Sequence, residues 1–438
     1  YYMKNNLSNI KKSKYYLNKN DCIGIPTETV YGLAANAYST KATSKIFKLK
    51  KRSKKNPLIV HYFNLETLKN DCHINNYFLK LYKKFCPGPI TFVLKLKKDS
   101  SISKNVTNNK KTLAVRFPKH YLTRKLLKNL SYPLAAPSAN ISTKISPVSK
   151  KDVNEEFGKK VKFILDGGQS KVGLESTIVN LIDKPEILRL GGIEISKINE
   201  VLRKNLKFSN KKKKIITSGQ GKIHYSPGIP IRLSIKKPKQ NEAFILIKKR
   251  KMADKNFFYL SKSKNLKEAA KNLYKTLRII KNKNFKSIAV ETIPNKGFGE
   301  AINDRLIRAA RKWNYKMIKK LFSPFCVFIS LLLLTYVYYK SEFIWQGARR
   351  DYYFSYYIIS FSILIFSIFT FFLSEKIKIY LSIIFFSTFL TFYLFEVYLI
   401  FNDSTFHKAK IYKKRTGKIF DKRSKLEIYN DLKKIEKE

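Results

Sequence analysis

Beyond residue 315 three apolar stretches follow one another, 321–339, 354–373 and 379–401. Each is close to the ~20 residues that cross a hydrocarbon layer. A water-soluble core has no use for three such runs in succession, so three transmembrane helices are expected over 315–403. Residues 404–438 read as a basic tail that stops in a charged segment, as a truncated domain does. The other end, Tyr1-Tyr2-Met3, is expected to hold either the initiator at Met3 or the cut end of something longer. Residues 3–20 are polar and lysine-rich and lack the apolar core of a secretory signal.

The 438 residues are enough for two or three domains. Lys+Arg number 89 against 30 Asp+Glu, a formal +59. Such a balance suits nucleic acid, anionic lipid or polyphosphate. The lysines are spread over the whole chain, however, which reads first as compositional drift and identifies no partner. Four cysteines, Cys22, Cys72, Cys86 and Cys326, show no CxxC spacing. They point to a reducing compartment and no structural zinc.

Up to residue 206 the pattern alternates between strand and helix. Helices are predicted over 4–20 (packing through Leu7, Ile10 and Leu17), 39–51 (capped by Ser39 or Thr40), 65–86, 119–129 and 194–205. Strands are predicted at 22–25, 57–61, 90–96, 112–117, 132–136 and 163–166. Residues 207–240, with the Lys211–Lys214 run and Pro227, Pro230 and Pro238, read as an extended linker. A small α/β unit is predicted over 241–314, with strands at 243–248, 257–260 and 287–292 and helices at 265–282 and 300–312.

Several blocks hold residues suited to chemistry. Ile23-Gly24-Ile25-Pro26-Thr27-Glu28-Thr29-Val30-Tyr31-Gly32-Leu33 sets small hydroxyls where a buried strand meets a loop. Lys50 and Arg52 form a K-x-R pair before Asn56-Pro57-Leu58-Ile59-Val60-His61; alone, such a pair is ordinary solvated surface. His61 fits a satisfied core histidine equally well. Arg116 falls in the buried-looking strand Leu113–Phe117, where a charge needs a partner: a structural ion pair or a ligand. Ala135-Ala136-Pro137-Ser138-Ala139-Asn140 permits close backbone approach to a ligand or simply a tight turn. His224-Tyr225-Ser226-Pro227-Gly228 is a conspicuous aromatic insertion in a polar linker.

Taken together and in this order, with Ser146 in Ile145-Ser146-Pro147, Asp166-Gly167-Gly168, Glu175-Ser176-Thr177-Ile178 and Leu188-Arg189-Leu190-Gly191, these blocks resemble the two-domain threonylcarbamoyl-AMP synthases. The resemblance covers 21–313. It implies a YrdC-type twisted open mixed sheet with helices (1–206, catalytic), a linker or lid (207–240) and a small Rossmann-like α/β domain (241–314). It implies that L-threonine, bicarbonate or CO2, and ATP become L-threonylcarbamoyladenylate and pyrophosphate, with Mg2+ bridging the phosphates. That is the first step of N6-threonylcarbamoyladenosine formation, ahead of a tRNA-modifying transferase complex. By the same resemblance Lys50 and Arg52 are the catalytic cations. ATP is implied to contact Lys50, Arg52, Asn56, Thr112, Ser138, Ser146, Arg189 and Tyr225, and threonine Thr29, His61, Arg116, Ala136 and Ser176. The linker is implied to fold back over the pocket mouth.

Ala34 stands where a second glycine is expected, and the apolar stretches have no place in the pattern. They read as a gene fusion or a join made during assembly. With an enzyme needing cytosolic substrates, the catalytic part is expected in the cytoplasm and the whole chain as a multi-pass membrane protein held through 321–401. Two alternatives stay open: a double-stranded RNA-binding or regulatory module, which the charge favours, and a membrane protein with an adventitious enzyme in front.

Overall fold

The structure is a computed structural model that describes residues 2–208, 224–250, 254–283, 285–310 and 315–402 and a few positions of the tail. The chain falls into two units, 1–312 and 313–438.

In the first unit, helices α1 (Tyr2–Asn18), α2 (Thr40–Lys50), α3 (Leu65–Lys69), α4 (Asn76–Phe85), α5 (Lys104–Thr107), α6 (Tyr121–Lys128), α7 (Lys150–Phe157) and α8 (Ile195–Leu202) accompany one large sheet. Its strands are β1 (Ile23–Ile25), β2 (Gly32–Asn36), β3 (Ile59–His61), β4 (Ile90–Lys95), β5 (Thr112–Arg116), β6 (Leu134–Ala135), β7 (Thr177–Asn180) and β8 (Glu186–Arg189). They run in the order β1-β2-β6-β3-β5-β4-β7-β8. Pairing is mixed: β3 with β5 and β4 with β7 are parallel, the others antiparallel. The expected mixed α/β sheet is therefore present. Its register places His61 opposite Arg116 and Arg116 opposite Thr91, so three neighbouring strands bring these side chains to one level of the sheet.

Local chemistry explains most helix ends. Ser39 caps α2 by accepting from the Ala42 amide at 3.1 Å. Ser149 and Asp152 form a reciprocal capping box on α7, a helix the periodicity did not announce. Ile10 and Leu17 of α1 join Leu122, Leu126 and Leu127 of α6 in one cluster. Leu7, expected on the packing face, is instead 48% exposed.

The helix expected over 65–86 is two helices. Asp71 is buried at the break, where it accepts from the hydroxyls of Tyr62 (2.8 Å), Tyr38 (3.0 Å) and Ser100 (2.5 Å). Asn75 then caps a fresh start by accepting from Phe78 N. Tertiary hydrogen bonds outweigh the local pattern here. Residues 163–166 likewise form no ladder of their own; Gly24 N donates to Phe163 O and Leu165 N to Gly24 O, both at 2.9 Å.

The small domain holds a second, all-parallel sheet of β9 (Ile231–Arg232), β10 (Glu242–Leu246), β11 (Phe257–Tyr259) and β12 (Ser287–Val290), ordered β11-β10-β12-β9. Helices α9 (Leu266–Lys281) and α10 (Phe298–Ala310) complete it. β9 comes from the stretch read as linker. Apolar residues of both domains join one core cluster, including Tyr31, Val115, Leu190, Tyr225, Tyr274 and Leu306.

In the second unit α11 (Tyr315–Tyr338), α12 (Arg350–Phe369) and α13 (Glu375–Asn402) are long helices. Among the described residues two segments, Phe322–Ile344 and Arg350–Phe372, are long and apolar enough to cross a membrane. These two segments match two of the three expected spans. The apolar run Tyr380–Phe395 lies within α13, a helix of 28 residues.

Candidate functional site

Where β3, β5, β4 and the lead into β7 lie side by side, a narrow cavity of about 30 Å³ opens. It is lined by Thr27, His61, Arg116, Ala136, Ser138, Glu175, Ser176, Arg189, His224 and Tyr225, with Tyr31 and Gly32 at the β2 entry. Seven residues singled out in the sequence therefore meet here: His61, Arg116, Ala136, Ser138, Ser176, Arg189 and Tyr225.

At one wall Arg116 Nη2 donates to Glu28 Oε1 at 2.7 Å, and Lys119 N donates to Glu28 Oε2 at 2.9 Å. Both partners of this ion pair are nearly sealed from solvent. The Arg116 Nε and the His61 Nδ1, by contrast, make no hydrogen bond within the chain. Burial, and then the adjacent Arg116 charge, hold the His61 imidazole well below its usual range, so it is neutral.

At another wall Arg189 donates through Nε and Nη2 to the Ser176 carbonyl (3.0 and 2.9 Å) and through Nη2 to Ser176 Oγ (3.0 Å). Ser176 Oγ is also 2.7 Å from Thr91 Oγ1. A Cβ on Gly191 would lie 2.3 Å from the Glu175 carbonyl. Glycine there lets the chain after Arg189 pass tight against Glu175 and Ser176, with Gly192 N donating to Glu175 O at 2.9 Å. Burial, then repulsion from Arg189, lowers Arg52 to about 10. Arg189 thus lines the cavity with the Arg52 charge behind it, a place suited to an oligoanion.

Six expected residues lie behind the lining. Lys50 is buried, and its ammonium donates to the carbonyls of Ser138 and Asn140, both at 2.5 Å. It fixes the Ser138–Asn140 loop; burial first, then Arg52, holds its pKa well below the usual lysine range. Arg52 donates to the carbonyls of Asn56 (3.3 Å) and Pro57 (3.2 Å), folding the Asn56 turn beneath itself. Thr112 heads β5, half-buried and paired with Lys95. Ser146 donates to Glu175 Oε1 at 2.6 Å. The Thr29 hydroxyl is 2.8 Å from Thr27 Oγ1, and Thr27 rather than Thr29 faces the cavity.

The sequence reading missed Glu28, Glu175, Tyr274 and Arg305 as site residues. Glu175 accepts from Ser146, from Tyr274 OH (2.9 Å to each oxygen) and from Arg305 Nε at 2.9 Å. Burial alone would raise its carboxyl, but Arg305, then Arg189, then Ser146 outweigh that and hold it at about 2. Tyr225 is buried from the linker side, its ring 4.1 Å from that of His224. Linker residues 209–223 lie outside the described residues. Among the described residues no cluster of three His, Cys, Asp or Glu side chains could hold an ion.

Residues 15–191 match the Sua5, YciO and YrdC family, described as telomere recombination, and residues 193–311 match the C-terminal domain of threonylcarbamoyl-AMP synthase. The threonylcarbamoyl-AMP synthase of Pyrococcus abyssi is 34% identical over 326 residues, 69% of this chain and 94% of that protein. The Bacillus subtilis enzyme of the same name is 33% identical over 321 residues, 69% and 92%. The crystal structure of P. abyssi Sua5 complexed with L-threonine has a TM-score of 0.63 at 32% identity, covering 69% of this chain and 94% of that one.

Proposed function

The chain belongs to the threonylcarbamoyl-AMP synthase family, and on that premise we propose that its first unit makes L-threonylcarbamoyladenylate from L-threonine, bicarbonate or CO2, and ATP. The threonine ammonium loses one proton to become the amine, which adds to CO2 and loses a second, both to solvent, to become a carbamate. A carbamate oxygen attacks the α-phosphorus of ATP, and pyrophosphate leaves with the electron pair of the broken P–O bond. The reaction is a nucleotidyl transfer, and its product feeds N6-threonylcarbamoyladenosine formation in tRNA.

The observation that carries this reading is the division of labour inside the cavity. On one wall Arg116, next to neutral His61, keeps an unsatisfied Nε in reach of a small carboxylate. A neutral imidazole adds no competing charge there. On another wall Arg189, with Arg52 close by, suits the phosphates. The nucleophile is already an anion, so what the site supplies is neutralisation and alignment of two negative reactants rather than a general base. Lys50, held by two carbonyls, sets the Ser138–Asn140 loop that lines the pocket. His224 and Tyr225 close one side and exclude water from the adenylate. Mg2+ enters, on this reading, on the nucleotide and its water shell.

The second unit is read as a membrane anchor built on Phe322–Ile344 and Arg350–Phe372, with the catalytic unit on the cytoplasmic side. The test of the activity uses the full chain in detergent: pyrophosphate release from ATP with threonine, bicarbonate or both left out. Release only when all three are present supports the proposal, and threonine-independent release overturns it.

A further inference from the structure

Tyr225 occupies its place at a conformational cost. Its φ is +66°, a left-handed backbone that a bulky L-residue adopts only when its surroundings impose it. The catalytic domain pins the next residue, Ser226 N donating to the Thr143 carbonyl at 2.8 Å, and the small domain holds the ring. The Tyr225 ring is stacked on Tyr274 of α9 (centroids 5.7 Å apart, 24° between planes), and the guanidinium of Arg305 of α10 sits 5.0 Å from the ring centroid. Neither Tyr274 nor Arg305 lines the cavity. Both reach Glu175, which does line it.

Arg305 is a hub. Its Nε donates to Glu175 Oε2 (2.9 Å), its Nη1 to Asp304 Oδ2 (2.7 Å) and its Nη2 to the Leu190 carbonyl (2.6 Å). Asp304 is in turn held by Arg308 at 2.9 Å. At 1% exposure Arg305 is a fully buried charge, tolerable only because every edge of its fork is used. One side chain thus touches the lining residue Glu175, the backbone that follows Arg189, and the face of the closing tyrosine.

We propose that Arg305 is a positioning residue of the adenylate-forming site: the small domain, through Arg305 and Tyr274, holds Tyr225 closed over the cavity and keeps Glu175 neutralised beside the phosphate wall. This rests on the proposed synthase activity, in which Tyr225 contacts the nucleotide. It assigns the C-terminal domain a task inside the site. Without the guanidinium, Tyr225 loses its cation–π partner and its strained backbone relaxes. Glu175 then stands as an uncompensated negative charge where triphosphate must enter. Nucleotide capture suffers, while threonine, bound at Arg116, is unaffected.

The test uses Arg305→Met and Tyr274→Leu in the full chain, with Tyr225→Ala as a background. Arg305→Met is expected to raise KM for ATP about tenfold or more and to leave KM for threonine within about threefold. In the Tyr225→Ala background the Arg305→Met increment is expected to shrink, because both act through one ring. Hydrogen–deuterium exchange of the 224–232 peptide without substrates is expected to speed up in Arg305→Met and Tyr274→Leu; this readout does not depend on catalysis. Partial rescue is expected from Arg305→Lys, which keeps a cation for Glu175. A variant that melts earlier yet exchanges 224–232 at the wild-type rate with an unchanged KM for ATP makes Arg305 purely structural and overturns the proposal. Fully additive effects of Arg305→Met and Tyr225→Ala on KM for ATP overturn it too. Loss of threonine-dependent turnover in the wild type would instead remove the synthase activity and leave the exchange result standing.

Discussion

Arg116 offers the sharpest perturbation, because its structural and ligand-binding roles can be separated. In Arg116→Gln the Glu28 carboxylate stays buried with only the Lys119 amide, 2.9 Å away, to stabilise it. Breaking a buried ion pair in this way costs ~3–5 kcal/mol. Replacing both partners, Arg116→Gln with Glu28→Gln, removes the stranded charge and leaves two amides able to bond each other, so the cost falls to ~1 kcal/mol. The ligand contribution differs in kind. A charge-assisted hydrogen bond to the threonine carboxylate contributes ~1.5–3 kcal/mol, or roughly 10- to 150-fold in KM for threonine. Both variants should lose that factor, whereas only the single variant should melt much earlier. The assay is pyrophosphate release at saturating ATP and bicarbonate, titrated in threonine, then repeated with ATP varied; thermal denaturation runs in parallel. KM for ATP should stay within about threefold. Equal rises in both KM values, or a double variant with wild-type KM for threonine, would refute the role given to Arg116.

His61 and the apolar helices each supply another test. His61 is neutral when folded, while the unfolded chain takes up a proton below about pH 6.5. Because the folded pKa is lowered, the unfolded state binds more protons as pH falls, and stability falls with it. The loss sets in as pH falls through the unfolded-state value near 6.5. His61→Asn should remove that portion of the pH dependence in thermal melts, and an unaltered slope would contradict its buried neutrality. The full chain should partition into membranes and leave them only with detergent, whereas residues 1–312 should remain in the aqueous fraction; release of the full chain by high salt alone would argue against insertion.

Much of the site could be read from the chain because its cations stand in blocks with distinctive neighbours. Arg116 in an apolar strand announced that it needed a partner. The sequence could not say which, since Glu28 lies far earlier in a segment that reads as a turn. Arg305 escaped notice for a related reason: its contacts come from Glu175, Leu190, Tyr225 and its own neighbour Asp304, positions with no common local pattern. A signal was nonetheless present. Arg305 falls in the stripe Ala301, Ile302, Leu306, Ala309, the buried face of α10. Tyr274 likewise sits among Ala270, Leu273 and Leu277 of α9. A charge in the apolar stripe of an amphipathic helix has to be paired. The split of α3 from α4 was illegible for the opposite reason, as Asp71 looks like surface until Tyr38, Tyr62 and Ser100 converge on it.

On the proposed function, carbon from bicarbonate ends up joined to threonine and AMP by this chain. Full-length protein in detergent, given ATP, threonine and 13C-bicarbonate, should yield a threonylcarbamoyladenylate one mass unit heavier than with unlabelled bicarbonate, and none when threonine is omitted. Pyrophosphate release without a labelled adenylate, or an adenylate that carries no label, would contradict the account.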